Sequence, residues 1–129
     1  MRDVWLTSSE FEKEYSPEKY EIIPIVIFEE GNIDFALQKI SKISVKLHGL
    51  NIEGDLITIS GFSKITKTII VRSKTRRKAT MRAKYVRSYR DVRLPLALFL
   101  AVERERFTER EINDIKSKIN EILKNLKLK

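Results

Sequence analysis

Ten basic side chains cluster between positions 72 and 93 of this 129-residue chain, a stretch we call the basic segment. Asp91 is the only acid within it, so the segment carries a net charge of +9. The rest of the chain holds 16 basic and 17 acidic residues, so the segment accounts for the whole excess of +8. A cluster of like charges destabilises a compact fold unless a counter-charge neutralises it. The pattern therefore indicates a polyanionic partner.

The types of residue in the basic segment favour nucleic acid as that partner. Seven of the ten basic residues are arginines. Guanidinium groups pair with phosphates through two hydrogen bonds and stack on the faces of nucleobases. Two tyrosines lie in the same segment and add possible stacking surfaces for unpaired bases. The predicted nucleic-acid-binding residues are Arg72, Lys74, Arg76, Arg77, Lys78, Arg82, Lys84, Tyr85, Arg87, Tyr89, Arg90 and Arg93.

We therefore expect a non-enzymatic nucleic-acid-binding protein of low sequence specificity, because the sequence contains no base-reading motif. The pattern leaves RNA, single-stranded DNA and duplex DNA open. An alternative is a protein-interaction module or complex subunit that binds an acidic protein, including a second copy of the chain. The apolar run 94–102 and the isoleucine-rich C-terminus could form such a homodimer interface. A third interpretation is a solvated basic face with no specific role.

Few residues in the chain could carry catalysis. There is no cysteine, which excludes disulfides, thiolate metal sites and thiol nucleophiles. His48 is the only histidine and precedes Gly49, a position typical of a turn or packing residue. The four glycines are scattered rather than gathered in a phosphate-binding loop. We predict no catalytic residue, no cofactor and no metal site.

A metal-dependent nuclease is the less favoured enzymatic alternative, since such enzymes need clustered carboxylates near a lysine. The acids and the lysine that could form such a cluster are Glu53, Asp55 and Lys64, with Glu29, Glu30 and Asp34 upstream. Turns collect acids for other reasons, so this spacing has little specificity.

Length and composition suit one soluble domain spanning residues 1–129. The longest apolar run has nine residues, Leu94 to Val102, whereas a membrane-spanning helix needs about 20. Without a signal peptide in the sequence, we expect a cytoplasmic protein that does not enter the membrane. Charged residues make up 34% of the chain and glutamine occurs once, which is typical of hyperthermophile proteins, although AT-rich mesophile genomes produce a similar bias.

Hydrophobic patterns predict an α+β fold in which helices pack on one face of a small antiparallel sheet. Predicted strands cover 21–28, 55–60 and 64–72, and the apolar-free stretch 73–78 then forms the tip of a basic β-hairpin. Residues 79–90 fit either a strand or a helix. In the first strand, Pro24 indicates an edge position or a strand entrance.

Predicted helices complete the fold. Short helical turns cover 7–20, where Ser9 and Glu12 have the spacing of a capping box. A helix capped by Asn32 runs to about Leu47, and an all-apolar buried helix covers 94–102. A long amphipathic C-terminal helix follows the capping box of Thr108 and Glu111. Its isoleucines recur at helical spacing, and its lysines form a solvated face.

Overall fold

The fold is described here from a computed structural model, which defines residues 1–61, 78–80 and 92–126. Six strands lie in these ranges: β1 (Arg2–Thr7), β2 (Tyr15–Ser16), β3 (Tyr20–Phe28), β4 (Asp55–Ser60), β5 (Lys78–Thr80) and β6 (Leu96–Glu103). Three α-helices accompany them: α1 (Ser8–Glu14), α2 (Ile33–His48) and α3 (Glu109–Asn125). The α+β class is therefore confirmed.

The main sheet has four strands in the order β1-β4-β6-β3. It is mixed rather than antiparallel as predicted, because β1 pairs parallel to β4 while β6 runs antiparallel to both its neighbours. Strand β1 was not predicted. Only Val4 and Leu6 of its six residues are buried, so the alternation that marks a strand is too short to recognise.

The prediction of a buried helix over 94–102 is wrong, since this segment forms the central strand β6. Seven of its eight residues are buried, because it lies between β3 and β4 and both of its faces are covered. A run that is apolar at every position has no period, so its pattern cannot separate a buried strand from a buried helix. The neighbouring strands determine its conformation, and they are distant in sequence.

The two long helices are confirmed, and so are their N-caps. The side chain of Asn32 accepts a hydrogen bond from the amide of Phe35 and begins α2, which continues to His48. Thr108 and Glu111 form the predicted capping box of α3. Caps were predictable because they depend on residues three positions apart and not on the tertiary fold.

The cap of the first helix lies two residues before the predicted cap. Thr7 and Glu10 form the capping box of α1, rather than Ser9 and Glu12. Later in the predicted helical stretch 7–20, the chain forms a turn instead, in which the amide of Lys19 donates to the carbonyl oxygen of Ser16 at 3.0 Å.

Strand β3 confirms the predicted strand at 21–28 and lies at the edge of the main sheet, as Pro24 indicated. The pairing of β3 with β6 changes register between Pro24 and Val26. An irregularity is expected here because proline has no amide hydrogen to donate to the ladder.

The sheet separates two hydrophobic clusters. On one face, α2 and α3 bury an extensive cluster against residues such as Leu96, Leu98 and Leu100 of β6. On the other face, α1 buries Phe11 against Phe99, with ring centroids 5.7 Å apart. The prediction of helices on one face therefore holds for the two long helices, while α1 covers the opposite face. None of the helices in the described ranges has the length and hydrophobicity needed to cross a membrane.

Gly54 marks a close approach between the start of β4 and the end of β6. A Cβ atom at this position would lie 2.8 Å from the carbonyl oxygen of Ala101 and 3.0 Å from Cγ1 of Val102. We predict that Gly54→Ala lowers the free energy of unfolding by about 1–3 kcal/mol, the usual cost of overpacking, measured by urea denaturation.

Gly49→Ala is the matched control for this prediction. Gly49 adopts φ −67°, which alanine tolerates, and an added Cβ would lie 3.2 Å from the nearest atom, the carbonyl oxygen of Lys46. We expect a smaller effect there. Equal stability of Gly54→Ala and the unchanged protein would contradict the close approach of the two strands.

Candidate nucleic-acid interface

The basic segment belongs to the connection between β4 and β6, which are adjacent antiparallel strands. This connection is unusually long, because β4 ends at Ser60 and β6 begins at Leu96. The loops of β-hairpins have about two to five residues. Connections longer than about 15 residues in compact domains are commonly functional. The structure describes three parts of this connection: Gly61, the strand β5, and the residues from Val92 onward.

Two of the twelve predicted nucleic-acid-binding residues lie within these parts. Lys78 begins β5, and Arg93 lies three residues before β6. The other ten lie outside the described residues: Arg72, Lys74, Arg76, Arg77, Arg82, Lys84, Tyr85, Arg87, Tyr89 and Arg90. The predicted strand 64–72 also lies outside them, as do most of the hairpin tip 73–78 and residues 81–90 of the ambiguous segment.

The two ends of the connection are joined by two hydrogen bonds that backbone amides donate, which we call the base clamp. The amide of Gly61 donates to the carbonyl of Arg93 at 3.0 Å, and the amide of Arg93 donates to Oγ of Ser60 at 2.7 Å. Next to the clamp, Val92 is buried in the cluster beneath α2 and α3. The basic segment therefore ends at a fixed position beside the last residue of β4.

The middle of the connection is held at a second position, on the opposite face of the sheet. Strand β5 pairs antiparallel with β2, so that Ser16 lies opposite Lys78 and Tyr15 opposite Ala79 and Thr80. Tyr15 contacts Asp55, the first residue of β4, whereas the base clamp involves Ser60, the last. These positions are five residues apart along β4, or roughly 16 Å at the ordinary strand rise.

Tyr15 is the side chain on which this second attachment rests. Its ring is fully buried, lies 5.7 Å from the ring of Phe11 and meets the ring of Tyr20 edge-on at 4.8 Å. Its hydroxyl donates to Oδ2 of Asp55 at 2.7 Å. Burial raises the pKa of the Tyr15 phenol far above its ordinary value, and the bond to the Asp55 carboxylate raises it further. The group is therefore a permanent hydrogen-bond donor.

Asp55 also binds Arg2 on the neighbouring strand β1. Nε and one terminal nitrogen of the guanidinium each donate to a carboxylate oxygen at 3.2 Å. The hydrogen bond to Asp55 and the attraction of its charge raise the pKa of Arg2. One carboxylate thus connects the first strand, the central region of the sheet and the aromatic side chain beside β5.

A polar pocket of about 280 Å³ opens beside this carboxylate. Its charged lining residues come from distant parts of the chain. Arg106, which follows β6, pairs with Glu53 before β4 and with Glu103 at the end of β6, the latter at 3.6 Å. Tyr20 also lines the pocket, and burial followed by the charge of Glu103 raises its pKa. Three carboxylates and two guanidiniums line the pocket, so it presents hydrogen-bonding groups with nearly balanced charge.

Sequence reasoning missed this pocket. Arg2, Tyr20 and Arg106 lie in β1, in β3 and after β6, and no spacing in the sequence relates them. They meet because the sheet order places the ends of these strands together. Only Asp55 and Glu53 were singled out beforehand, as acids of a possible nuclease.

The structure does not gather the acids of the nuclease alternative. Glu53 and Asp55 lie at the start of β4, and each is paired with an arginine. Glu29, Glu30 and Asp34 follow the end of β3, at the opposite end of the sheet, since Phe28 and Ser60 both lie opposite Leu96. Lys64 lies outside the described residues. Across the described ranges, no three acidic or histidine side chains are close enough to hold a metal ion.

His48 ends α2 and contacts β1. Its Nε2 lies 3.0 Å from Oδ1 of Asp3, and the hydroxyl of Ser44 donates to the same oxygen at 3.3 Å. These bonds fasten the outer flank of α2 to the first strand. This is a packing role at a helix end, and it agrees with the interpretation of His48 as a turn or packing residue.

Tyr15→Phe tests the role of the buried phenol. At neutral pH we predict a loss of about 1–3 kcal/mol in the free energy of unfolding, because a hydrogen bond to a charged group is removed. Above pH of about 10, tyrosine in the unfolded chain loses its proton while Tyr15 in the folded chain keeps it, so stability falls as the pH rises. The variant should show a shallower fall, measured by urea denaturation across that range.

Tyr20→Phe is the matched control, because it removes a partly buried phenol from the same aromatic pair. We expect it to cost less stability at neutral pH than Tyr15→Phe. If Tyr15→Phe has the stability of the unchanged protein at neutral pH, the bond between Tyr15 and Asp55 does not anchor this region.

Comparison of the chain with protein-family models, with curated proteins and with solved structures finds no match. A function must therefore be inferred from the charges and contacts of the chain itself.

Proposed function

We propose that this protein binds nucleic acid through the basic segment, without catalysis and with little sequence preference. The observation that carries the proposal is the location of charge, since 22 residues hold a net charge of +9 and the other 107 hold a net charge of −1. A basic surface that is only solvated would not need its positive charge to be concentrated in one segment in this way. A polyanion that neutralises several of these charges releases counterions and gains affinity from their release.

The arginine and tyrosine content of the segment supports nucleic acid over other polyanions. Arginine exceeds lysine by seven to three in the segment, although lysine predominates in the rest of the chain. Guanidinium groups match the geometry of phosphate oxygens and stack on bases. Tyr85 and Tyr89 would stack on unpaired bases. Every base has a π face, so this stacking does not depend on the base sequence.

The attachments of the segment also support the proposal. The base clamp holds it at Arg93, and the pairing of β5 with β2 holds it at Lys78 to Thr80. A phosphate-binding segment that is attached to a rigid sheet loses less conformational entropy on binding than a free tail does. The connection thus has the properties of a binding element rather than of a simple linker.

Three of the four arginines outside the basic segment are paired within the fold. Arg2, Arg104 and Arg106 each pair with a carboxylate of the fold. Arg104, for example, binds the buried Glu21 and also donates to the carbonyl of Pro17 at 3.1 Å. These guanidiniums stabilise the domain, so we assign the binding of phosphate to the segment and not to them.

An acidic protein partner is the alternative function, because the same charge pattern would attract clustered carboxylates. The apolar residues suspected of forming a homodimer interface give this alternative no support. Those of β6 are buried on the two faces of the main sheet, and the buried isoleucines of α3 pack in the core of the same chain. An acidic protein that displaces nucleic acid at equal charge would favour the alternative.

Fluorescence anisotropy with labelled single-stranded RNA, single-stranded DNA and duplex DNA over a salt series tests the proposal. We expect dissociation constants of about 10⁻⁴ to 10⁻⁶ M at physiological salt and a log–log slope of about −4.5 if about five contacts to duplex phosphates form, at about 0.9 for each contact. The variant with Arg76, Arg77, Lys78 and Arg82 changed to alanine should bind at least tenfold more weakly, with a slope reduced by about 3 to 4.

The matched control removes four positive charges elsewhere, at the exposed positions Lys19, Arg110, Lys118 and Lys124. It should retain most of the affinity. Equal losses in the two variants would show that net charge alone drives binding. No binding at low salt by the folded protein would reject the proposal and favour an acidic protein partner.

A further inference from the structure

Helix α2 presents a second basic surface, separate from the basic segment, which we call the α2 stripe. It consists of Phe35, Lys39, Lys42 and Lys46. These residues follow one another at intervals of four, three and four positions, so at 3.6 residues per turn they fall within about 60° of the helix circumference. The stripe extends roughly 16 Å along the helix at ~1.5 Å per residue.

The aromatic residue of the stripe is unusually exposed. Phe35 keeps 54% of its surface accessible, and Val45 is the other exposed large apolar residue in the described part of the chain. The Nζ atom of Lys39 lies 5.3 Å from the centroid of the Phe35 ring. An exposed ring with a cation beside it matches the arrangement that binds a base and its phosphate together, through stacking and charge.

The stripe lies on the side of α2 opposite to the residues that bind the first strand. Ser44 and His48, on the opposite flank of α2, are the residues that bind Asp3 of β1. The stripe lies about half a turn away from them around the helix, so it faces away from β1. Lys42 and Lys46 are exposed, which leaves their ammonium groups accessible to an anionic ligand.

The stripe begins at the same end of the sheet as the base clamp. Phe28 at the end of β3 and Ser60 at the end of β4 both lie opposite Leu96, and α2 starts five residues after Phe28. Val92 of the connection and Ala36 of α2 belong to the same buried cluster. The first turn of α2, where Phe35 lies, is therefore at the end of the sheet where the base clamp holds Arg93.

The charge of the stripe favours a polyanion as its occupant. The stripe contains three lysines and no acid, and the only acid of α2, Asp34, lies about 100° away around the helix. Glu29 and Glu30 precede the helix and are not part of its surface. The combination of phosphate-binding cations and one accessible aromatic ring fits single strands, because bases inside a duplex are not available for stacking on a side chain.

We propose that the α2 stripe is a second contact surface for single-stranded nucleic acid, with the lysines on phosphates and Phe35 stacked on a base. This proposal rests on the function proposed above and makes it more specific. The basic segment supplies most of the charge and binds any nucleic acid, whereas the stripe extends the binding site and favours single strands over duplexes.

Fluorescence anisotropy with labelled RNA of about 20 nucleotides, as a single strand and as a duplex, tests the stripe. Phe35→Ala should weaken binding of the single strand by about tenfold, the usual effect of losing one stacked base, and leave duplex binding within about twofold. Val45→Ala is the matched control, because it truncates the other exposed apolar residue of α2. We expect it to bind both ligands like the unchanged protein.

The lysines are tested by a charge-matched pair of variants. Lys42→Gln with Lys46→Gln should reduce the salt slope for single strands by about 1.4, at about 0.7 for each phosphate contact. Arg110→Gln with Lys124→Gln removes two exposed charges from α3 and should leave the slope unchanged. Thermal unfolding of all four variants verifies that the fold is retained.

The outcomes separate the two proposals. If the unchanged protein binds through the basic segment but the stripe variants bind like their controls, the stripe is not a contact surface and the proposed function stands. If Phe35→Ala weakens single-strand and duplex binding equally, stacking on an unpaired base is contradicted. If the unchanged protein binds no nucleic acid at low salt, both proposals fail.

Discussion

The structure depends on the burial of both faces of β6. Seven of its eight residues are buried, with β3 and β4 on either side, α2 and α3 over one face, and Phe11 of α1 over the other. This strand supplies apolar contacts to both hydrophobic clusters and therefore joins them into one domain. A hairpin of a few residues would be enough to join the adjacent antiparallel strands β4 and β6, yet the connection between them runs from residue 61 to residue 95. That connection contains the basic segment, so the most strongly charged part of the molecule is attached to its most hydrophobic strand.

The connection between β4 and β6 is held by polar contacts at two positions. A backbone hydrogen bond joins Gly61 to Arg93 where β4 ends, and β5 pairs with β2 beside Tyr15. Tyr15 is fixed in turn by Asp55, which Arg2 neutralises. A concentration of like charge destabilises the fold that bears it. We infer that these contacts, with the large apolar core, offset that repulsion.

Local signals made part of this structure predictable from sequence. Asn32 and the pair Thr108 and Glu111 were identified as caps because capping depends on residues a few positions apart. The concentration of positive charge in the basic segment could be found by counting charged residues along the sequence. The conformation of β6 was mistaken because a fully apolar run has no period and its partners are distant in sequence. The pocket beside Asp55 was not foreseen, since Arg2, Tyr20 and Arg106 meet only through the order of the strands. Phe35 was not recognised as exposed, because exposure depends on which helix faces the sheet covers.

The most direct test of the account is amide hydrogen exchange of the full chain with and without single-stranded RNA. If the basic segment is the binding element, the largest slowing of exchange on adding RNA should fall within residues 72–93 and at their attachments, Gly61 and the β2 strand. The central strand β6 should exchange slowly in both states, because it belongs to the core whether or not a ligand is bound. Slowing confined to another surface, such as the outer face of α3, with none in residues 72–93, would contradict the central claim that this segment holds the nucleic acid.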